Sequence, residues 1–231
     1  MREVVLDTET TGLDPAKGDR VVEIGALELV NKFPTGRSFH TYLDPERGMP
    51  PEAEAVHGLT SAFLRGKPKF QAVAEEFLGF IEGAVLIIHN AAFDTGFLNA
   101  ELKAAGRAAI PPEQVIDTLM LARQRHPMGP NSLDALCKRH GIDLSRRTRH
   151  GALLDSELLA EVYIELTGGK QAALGLMAAP RQRAGIANAG PRRLERPAPL
   201  PPRLTEAELA DHAALVETLG SDPLWRNYGG S

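Results

Sequence analysis

The chain has 231 residues, and its 26 Lys and Arg against 30 Asp and Glu give a formal net charge of −4. The composition is that of an ordinary globular protein, and no apolar run approaches the roughly 20 residues that span a bilayer. A single cysteine, Cys137, excludes an internal disulfide framework and a cysteine-cluster zinc site. Because the first residues do not resemble a signal peptide, we expect a soluble, cytoplasmic protein without membrane contact.

The first predicted elements are strands. Val4–Leu6 is a short apolar strand that leads into Asp7, and Val21–Val30 is a second strand. Arg37–Leu43 follows a turn predicted at Pro34-Thr35-Gly36, so that the second and third strands form a hairpin.

Helices and strands then alternate. Apolar spacing and glycine stops predict a strand over Ala84–Ile88 and helices over Phe70–Ile81, Asp94–Ala105, Leu133–His140 and Ala152–Leu166. An antiparallel meander followed by a β-α-β-α pattern predicts an α/β fold, with a mixed sheet and helices on its faces.

The charge is distributed unevenly along the chain. Residues 1–169 carry 18 Lys and Arg against 24 Asp and Glu, whereas residues 170–231 carry 8 against 6. Residues 180–203 hold six arginines and six of the 17 prolines, with few large apolar side chains. Such a segment cannot bury enough surface to offset its ordering entropy, which predicts a flexible linker.

A short helix is predicted after this linker. Thr205 and Glu208 have the spacing of a capping box, and Leu204 with Leu209 could form the hydrophobic staple that accompanies it. One helix with a tail that contains Trp225 cannot form a core alone, so we expect it to dock on another surface.

Acidic side chains follow the first strand. Asp7 and Glu9 lie two residues apart, and residues at this spacing in a strand project to the same face. Two carboxylates this close repel each other unless a cation neutralises them. The pattern alone also fits an acidic strand end that faces solvent.

Further titratable residues follow later elements. Asp94 comes just after the strand that ends at Ile88, where active sites of such sheets form. An Asp in the first turn of a helix is also typical of a cap or a helix-dipole partner. His150 and Asp155 can converge only if His150 lies in the loop before the helix that carries Asp155. The alternative for His150 is a surface residue in a basic loop.

Together, the pattern of Asp7-x-Glu9, Asp94 and His150-x4-Asp155 resembles the DEDDh class of 3′→5′ exonucleases, which have an RNase H-like fold. The resemblance covers residues 1–168. Four further runs are similar to the family of bacterial DNA polymerase III epsilon (proofreading) subunits: Asp7–Asp14, Val56–Thr60, Val115–Leu119 and Ser132–Cys137.

This resemblance implies a mechanism and a substrate site. It assigns two divalent ions, Mg²⁺ or Mn²⁺, to the ligands Asp7, Glu9, Asp94 and Asp155, and it makes His150 the base that deprotonates the attacking water. It implies a single-stranded or frayed DNA 3′ end as substrate, with contacts from Thr10, His57 and Phe93. The alternatives for the last two are a loop histidine and a core phenylalanine. The net negative charge of residues 1–169 is then partly that of a metal site.

The resemblance also implies partners. Gln171, Leu174 and Leu176 resemble a sliding-clamp-binding motif, although they also fit a frayed helix end. Residues 204–231 would dock on the polymerase alpha subunit, with residues 169–203 as the linker. Two other functions fit parts of the pattern: a stand-alone DEDDh RNase related to RNase T or oligoribonuclease, and a non-catalytic subunit that bridges polymerase and clamp.

Overall fold

The structure is a computed structural model that describes residues 1–168 and 205–218, which belong to two separate units. Within residues 1–168 the strands form one five-stranded mixed sheet in the order β3-β2-β1-β4-β5. These strands are β1 (Arg2–Thr10), β2 (Val21–Val30), β3 (Phe33–Tyr42), β4 (Val85–Ile88) and β5 (Val115–Asp117). β1, β2 and β3 run antiparallel, whereas β4 is parallel to both β1 and β5. The predicted α/β class is confirmed.

Helices connect and cover these strands. In chain order they are α1 (Pro51–His57), α2 (Ser61–Leu64), α3 (Phe70–Ile81), α4 (Ala91–Ala104), α5 (Thr118–Arg125), α6 (Leu133–His140) and α7 (Ala152–Leu166). The predicted bounds of β2, α3, α6 and α7 are confirmed to the residue. β5, α1, α2 and α5 were not among the predicted elements, because each is too short to show a clear apolar period.

The predicted hairpin turn is wrong. The chain reverses at Asn31 and Lys32, which have φ values of 52° and 68°, and Val30 pairs with Phe33. Two successive residues with positive φ form the turn whose twist matches that of antiparallel strands. Pro34-Thr35-Gly36, the predicted turn, lies inside β3. Proline is tolerated there because β3 is an edge strand.

The predicted start of α4 is also wrong, because the helix begins at Ala91 instead of Asp94. Asn90 precedes it in the left-handed conformation, with φ 61° and ψ 50°. The carboxylate of Asp117 accepts the backbone N–H groups of Asn90 and Ala91 at 3.1 and 3.2 Å. A side chain from the neighbouring strand therefore accepts the unpaired N–H groups at the start of the helix. Asp94 is not needed as a cap and can make another contact.

The hydrophobic core occupies both faces of the sheet. Val4 and Leu6 of β1 pack in a cluster with α3 and α4 that contains Phe77 and Phe97. Val5 points to the opposite face, where its cluster includes Leu159 of α7. Because side chains alternate along a strand, β1 is covered on both faces, and its C-terminal end is held rigidly between two layers of helices.

The second unit contributes one helix to the described residues, α8 (Glu206–Thr218). The backbone N–H of Glu208 donates to Thr205 Oγ1 at 3.3 Å, and the N–H of Thr205 donates to Glu208 Oε2 at 2.8 Å, so the predicted capping box is confirmed. Leu209 and Leu215 are 52% and 58% exposed.

Several predictions fall outside the described residues. These are the linker, Leu204 of the staple, the tail with Trp225, and the clamp motif of Gln171, Leu174 and Leu176. In the two described ranges, no helix is both long and apolar enough to cross a membrane.

Candidate active site

Four acidic side chains and one histidine meet at one end of the sheet. They line a cavity of about 810 Å³ and come from β1, α4, α7 and the loop before α7: Asp7, Glu9, Asp94, Asp155 and His150. One ligand atom each from Glu9, His150 and Asp155 lie within 4.8 Å of one another. The structure thus brings together all five residues that the sequence pattern singled out.

Asp94 is oriented towards β1. The hydroxyl of Thr8 donates to Asp94 Oδ1 at 2.7 Å, and the backbone N–H of Thr8 donates to the same atom at 3.1 Å. Asp94 is only 3% exposed. The alternative that Asp94 is a helix cap is therefore wrong, since Asn90 holds the cap position and the Asp94 carboxylate faces the neighbouring strand.

Asp155 reaches the site because α7 begins directly on the sheet. Asp7 of β1 pairs with Gly25 of β2, and the first turn of α7 lies over Gly25. A Cβ at Gly25 would lie 2.2 Å from the carbonyl carbon of Ala152. Ser156 also anchors this turn, because its hydroxyl donates to the Gly25 carbonyl at 2.8 Å. Sequence reasoning missed Gly25, although a glycine inside an apolar strand is a signal of close backbone approach.

Three carboxyl groups of this site have raised pKa values, because they are buried close to other acidic groups. Burial raises the pKa of Glu9 to about 8, with repulsion from Asp155, Glu23 and Asp94 as further causes. Burial likewise raises the pKa of Asp7 well above its usual range, and the neighbouring carboxylates add to the effect. The pKa of Asp94 is raised to about 7 by burial, although the hydrogen bonds from Thr8 oppose the shift. Such a cluster is typical of a cation-binding or catalytic site.

His150 lies in the loop just before α7, which is the position that convergence with Asp155 required. Its backbone N–H donates to the Val56 carbonyl at 3.3 Å, which attaches the loop to α1. The exposed imidazole ring places Nδ1 3.5 Å from Asp155 Oδ2. The histidine therefore lies at the open rim of the acidic cavity.

Arg147 is a charged member of the site that sequence reasoning did not single out. Its Nε and Nη2 atoms donate to the two oxygens of Asp155 at 2.6 and 2.7 Å. Nη1 donates to Asp134 Oδ1 at 2.7 Å, and Nη2 lies 3.0 Å from His150 Nδ1. In the sequence Arg147 is one of several arginines in a basic loop, so only the fold distinguishes it.

A second cavity, of about 520 Å³, adjoins the acidic one and includes Thr10, His57 and Phe93 in its lining. His57 ends α1 and is 6% exposed, so the alternative of a loop histidine is wrong. The Phe93 ring lies 5.0 Å from that of Phe97, so that Phe93 is part of the core edge as well as of the cavity wall. The hydroxyl of Thr10 donates to the Gly12 carbonyl at 2.6 Å.

Three further residues have mainly structural contacts. Asp117 caps α5 by accepting the N–H of Leu119 at 2.8 Å, and it also holds the start of α4. Cys137 is fully buried in the cluster between α6 and α7. Asp134 lies in the first turn of α6, and its bond to Arg147 also connects it to the active site.

Comparisons with known proteins agree with this geometry. A family model described as Exonuclease (RNase T) matches residues 4–163. The chain is 54% identical over 180 residues to the DNA polymerase III subunit epsilon of Rickettsia felis, covering 77% of this chain and 79% of that one. It is 45% identical over 239 residues to the protein of the same name from Escherichia coli K12, covering 97% of both.

Among solved structures, the nuclease domain of 3′hExo is similar in fold. That domain is described as a DEDDh family member bound to rAMP, and its TM-score is 0.63 at 17% identity. The match covers 73% of this chain and 92% of that one.

Proposed function

Since the chain belongs to the exonuclease family and is related along nearly its whole length to DNA polymerase III epsilon subunits, we propose that it is a 3′→5′ DNA exonuclease that proofreads for a replicative polymerase. The observation that carries the proposal is the convergence of Asp7, Glu9, Asp94 and Asp155 with His150 in one cavity. The reaction is hydrolysis of the 3′-terminal phosphodiester, which releases a nucleoside monophosphate and leaves a new 3′-hydroxyl.

The donor set fits two divalent cations of the Mg²⁺ or Mn²⁺ type. Carboxylate oxygens are the hard ligands that these ions prefer, and the raised pKa values of Asp7, Glu9 and Asp94 indicate a cluster that lacks enough positive charge to be stable when ionised. Asp7, Glu9, Asp94 and Asp155 would hold the ions. Their charge would stabilise the attacking and leaving oxygens of the phosphodiester.

His150 supplies the general base. A histidine at the rim of the cavity can accept a proton from a water molecule aligned with the terminal phosphorus. As the water oxygen bonds to phosphorus, the bond to the 3′-oxygen of the preceding nucleotide breaks, and solvent protonates that oxygen. The loop position allows the base to adjust as substrate enters.

The adjoining cavity would receive the 3′-terminal nucleotide. Phe93 lies on the boundary of both cavities, where its ring can stack on a base, and stacking of this kind tolerates any sequence. His57 is oriented by the N–H of Leu59, which donates to its Nδ1 at 3.0 Å, so that Nε2 is the protonated nitrogen. A nucleotide phosphate or sugar oxygen is a suitable acceptor for that N–H group. Thr10 lines this cavity beside Glu9.

The remaining segments extend this function to a polymerase assembly. We assign residues 1–168 to the exonuclease domain, 169–203 to a linker and 204–231 to docking on the polymerase alpha subunit. The capped helix α8 with its exposed leucines supports docking, because exposed apolar side chains gain stability when they pack against a partner. Gln171, Leu174 and Leu176 would bind the sliding clamp, and the cytoplasm is the expected location.

Hydrolysis of matched oligonucleotides tests the activity. The full chain with Mg²⁺ should shorten single-stranded DNA from its 3′ end, and EDTA should stop the reaction. A strong preference for RNA of the same sequence would instead favour the stand-alone RNase. Removal of residues 204–231 should abolish co-purification with the alpha subunit while hydrolysis of single-stranded DNA persists. Retained co-purification would contradict the docking assignment.

A further inference from the structure

We propose that Arg147 is a built-in counter-cation that competes with the divalent metal for Asp155, so that metal binding releases both Asp155 and the base His150. The inference rests on the proposed function, because it concerns the same metal site. It adds a contact that occupies Asp155 and His150 until a metal binds.

Arg147 forms a buried ion pair with Asp155. The planar guanidinium of Arg147 meets both carboxylate oxygens at 2.6 and 2.7 Å. The side chains are only 8% and 4% exposed, so water screens this ion pair weakly. A cation that binds Asp155 must use the same two oxygens. The metal would bind those oxygens beside a fixed positive charge, so the guanidinium would oppose metal binding to this buried carboxylate.

The guanidinium of Arg147 also has a second acidic partner. Nη1 donates to Asp134 Oδ1 at 2.7 Å, and the Asp134 side chain is 49% exposed. Asp134 belongs to α6, outside the set of proposed metal ligands. If Asp155 turns to a metal, Arg147 can keep its bond to Asp134 and rotate towards solvent. The displaced charge is thus not left buried without a partner, which would strongly oppose metal binding.

Arg147 also contacts the ring of His150. Arg147 Nη2 lies 3.0 Å from Nδ1 and 3.4 Å from Nε2 of the imidazole ring. A guanidinium can only donate hydrogen bonds, so it binds the ring nitrogen that carries no proton. That nitrogen holds the lone pair that a general base needs. While Arg147 holds both groups, the base and one metal ligand are blocked together.

An alternative role makes the opposite prediction. If Arg147 only oriented Asp155 for the metal, its removal would weaken metal binding. If Arg147 competes with the metal, its removal strengthens metal binding, even though the metal-free fold loses an ion pair. The sign of the change in metal affinity therefore separates the two roles.

The test is calorimetric titration of Mn²⁺ into the full chain at pH 7.5. We expect Arg147→Gln to bind Mn²⁺ about 5- to 50-fold more tightly than the wild type, because a charge-assisted bidentate pair no longer has to be broken. Asp134→Asn should bind it several-fold more weakly, since the displaced guanidinium loses its second partner. Arg146→Gln is the matched control, because Arg146 pairs with the exposed Glu157 and should leave the affinity unchanged.

Thermal unfolding gives a second readout that needs no activity. Arg147→Gln should unfold at a lower temperature than the wild type in EDTA and gain more stability from Mn²⁺. Arg147→Lys keeps the charge but cannot span both oxygens, so its Mn²⁺ affinity should lie between those of wild type and Arg147→Gln.

Two contrary outcomes can be distinguished. Equal or weaker Mn²⁺ binding by both Arg147 variants, with normal binding by the wild type, would overturn the competition alone. Absence of Mn²⁺ binding in all variants and in the wild type would overturn the metal site of the proposed function and this inference with it.

Discussion

Gly25 of β2 lies directly against the backbone of Ala152, the first residue of α7. A Cβ at Gly25 would come within 2.2 Å of the Ala152 carbonyl carbon. Gly25 is also the cross-strand partner of Asp7, so that the start of α7 is seated beside the acidic end of β1. This contact determines how closely Asp155 approaches Asp7. Gly25, which has no side chain, is therefore important for the geometry of the site.

Replacement of Gly25 should therefore separate the two acidic elements. Gly25→Ala forces α7 away from the sheet, and we expect a stability loss of about 1–3 kcal/mol from overpacking and at least a ~10-fold loss of exonuclease rate. Gly79→Ala is the matched control, because Gly79 lies in α3 with no atom within 4 Å of its added Cβ. It should gain about 0.5–1 kcal/mol and keep full activity. Urea unfolding and DNA hydrolysis measure both effects, and full activity of Gly25→Ala would contradict the account.

Neutralising Glu9 should stabilise the metal-free protein at alkaline pH. The folded pKa of Glu9 is about 8, above its ordinary value of 4.5, so its contribution to stability is fully present below pH ~4.5 and is lost as pH rises through 8. In EDTA, Glu9→Gln should exceed the wild type in stability by an amount on the order of a few kcal/mol at pH 8, and the difference should shrink towards pH 5.

Thermal unfolding in EDTA across this pH range measures the effect. The exposed Glu76 of α3 provides the control, since Glu76→Gln makes the same substitution outside the acidic cluster. A Glu9→Gln protein less stable than the wild type at pH 8 would mean that the cluster does not carry the repulsion described above.

Metal binding should release protons. The pKa values of about 8 for Glu9 and about 7 for Asp94 mean that both carboxyls are largely protonated at pH 6 and must ionise to act as ligands. We expect Mn²⁺ affinity to rise by at least ~10-fold between pH 6 and pH 8. Calorimetry at pH 6.5 in two buffers of different ionisation enthalpy should detect release of about one to two protons per site. A Mn²⁺ affinity that does not change with pH would indicate that the metal binds at a different site.

Thr8 should tune the ionisation of Asp94. Its hydroxyl donates to Asp94 Oδ1 and lowers the pKa of that carboxyl against the effect of burial. Thr8→Val removes this bond at nearly constant volume, so the pKa of Asp94 should rise and the pH profile of DNA hydrolysis should shift to higher pH. Thr8→Ser retains the hydroxyl and should keep the wild-type profile. An unshifted profile in Thr8→Val would show that Asp94 ionisation does not limit the reaction.

The comparison of sequence and structure shows which features local patterns can predict. β2, α3, α6 and α7 were predicted to the residue, because continuous or periodic apolar positions end at clear polar or glycine stops. The convergence of Asp7 with Asp94 was predictable as well. Asp7 lies in the C-terminal half of β1, and Asp94 lies in the first turn of α4, which follows the parallel neighbouring strand β4. Such folds place their active sites beyond these strand ends.

Features that depend on distant contacts were not predictable. Asn90 starts α4 because Asp117, 27 residues away, accepts its N–H group. Arg147 differs from its neighbouring arginines only through Asp134 and Asp155, which the fold brings to it. The turn at Asn31 was missed for a local reason, since Asn-Lys lacks the glycine that usually marks such turns.

The most direct test of the central claim is release of a 3′-terminal nucleotide from a primer with a mismatched end. The wild-type chain with Mg²⁺ should release nucleoside monophosphate from the 3′ end, and more slowly from a matched primer. The Asp7→Asn, Glu9→Gln double variant should lose at least ~10³-fold of this rate while still folding and still binding the polymerase subunit. Hydrolysis at the wild-type rate by the double variant would contradict the assignment of the active site.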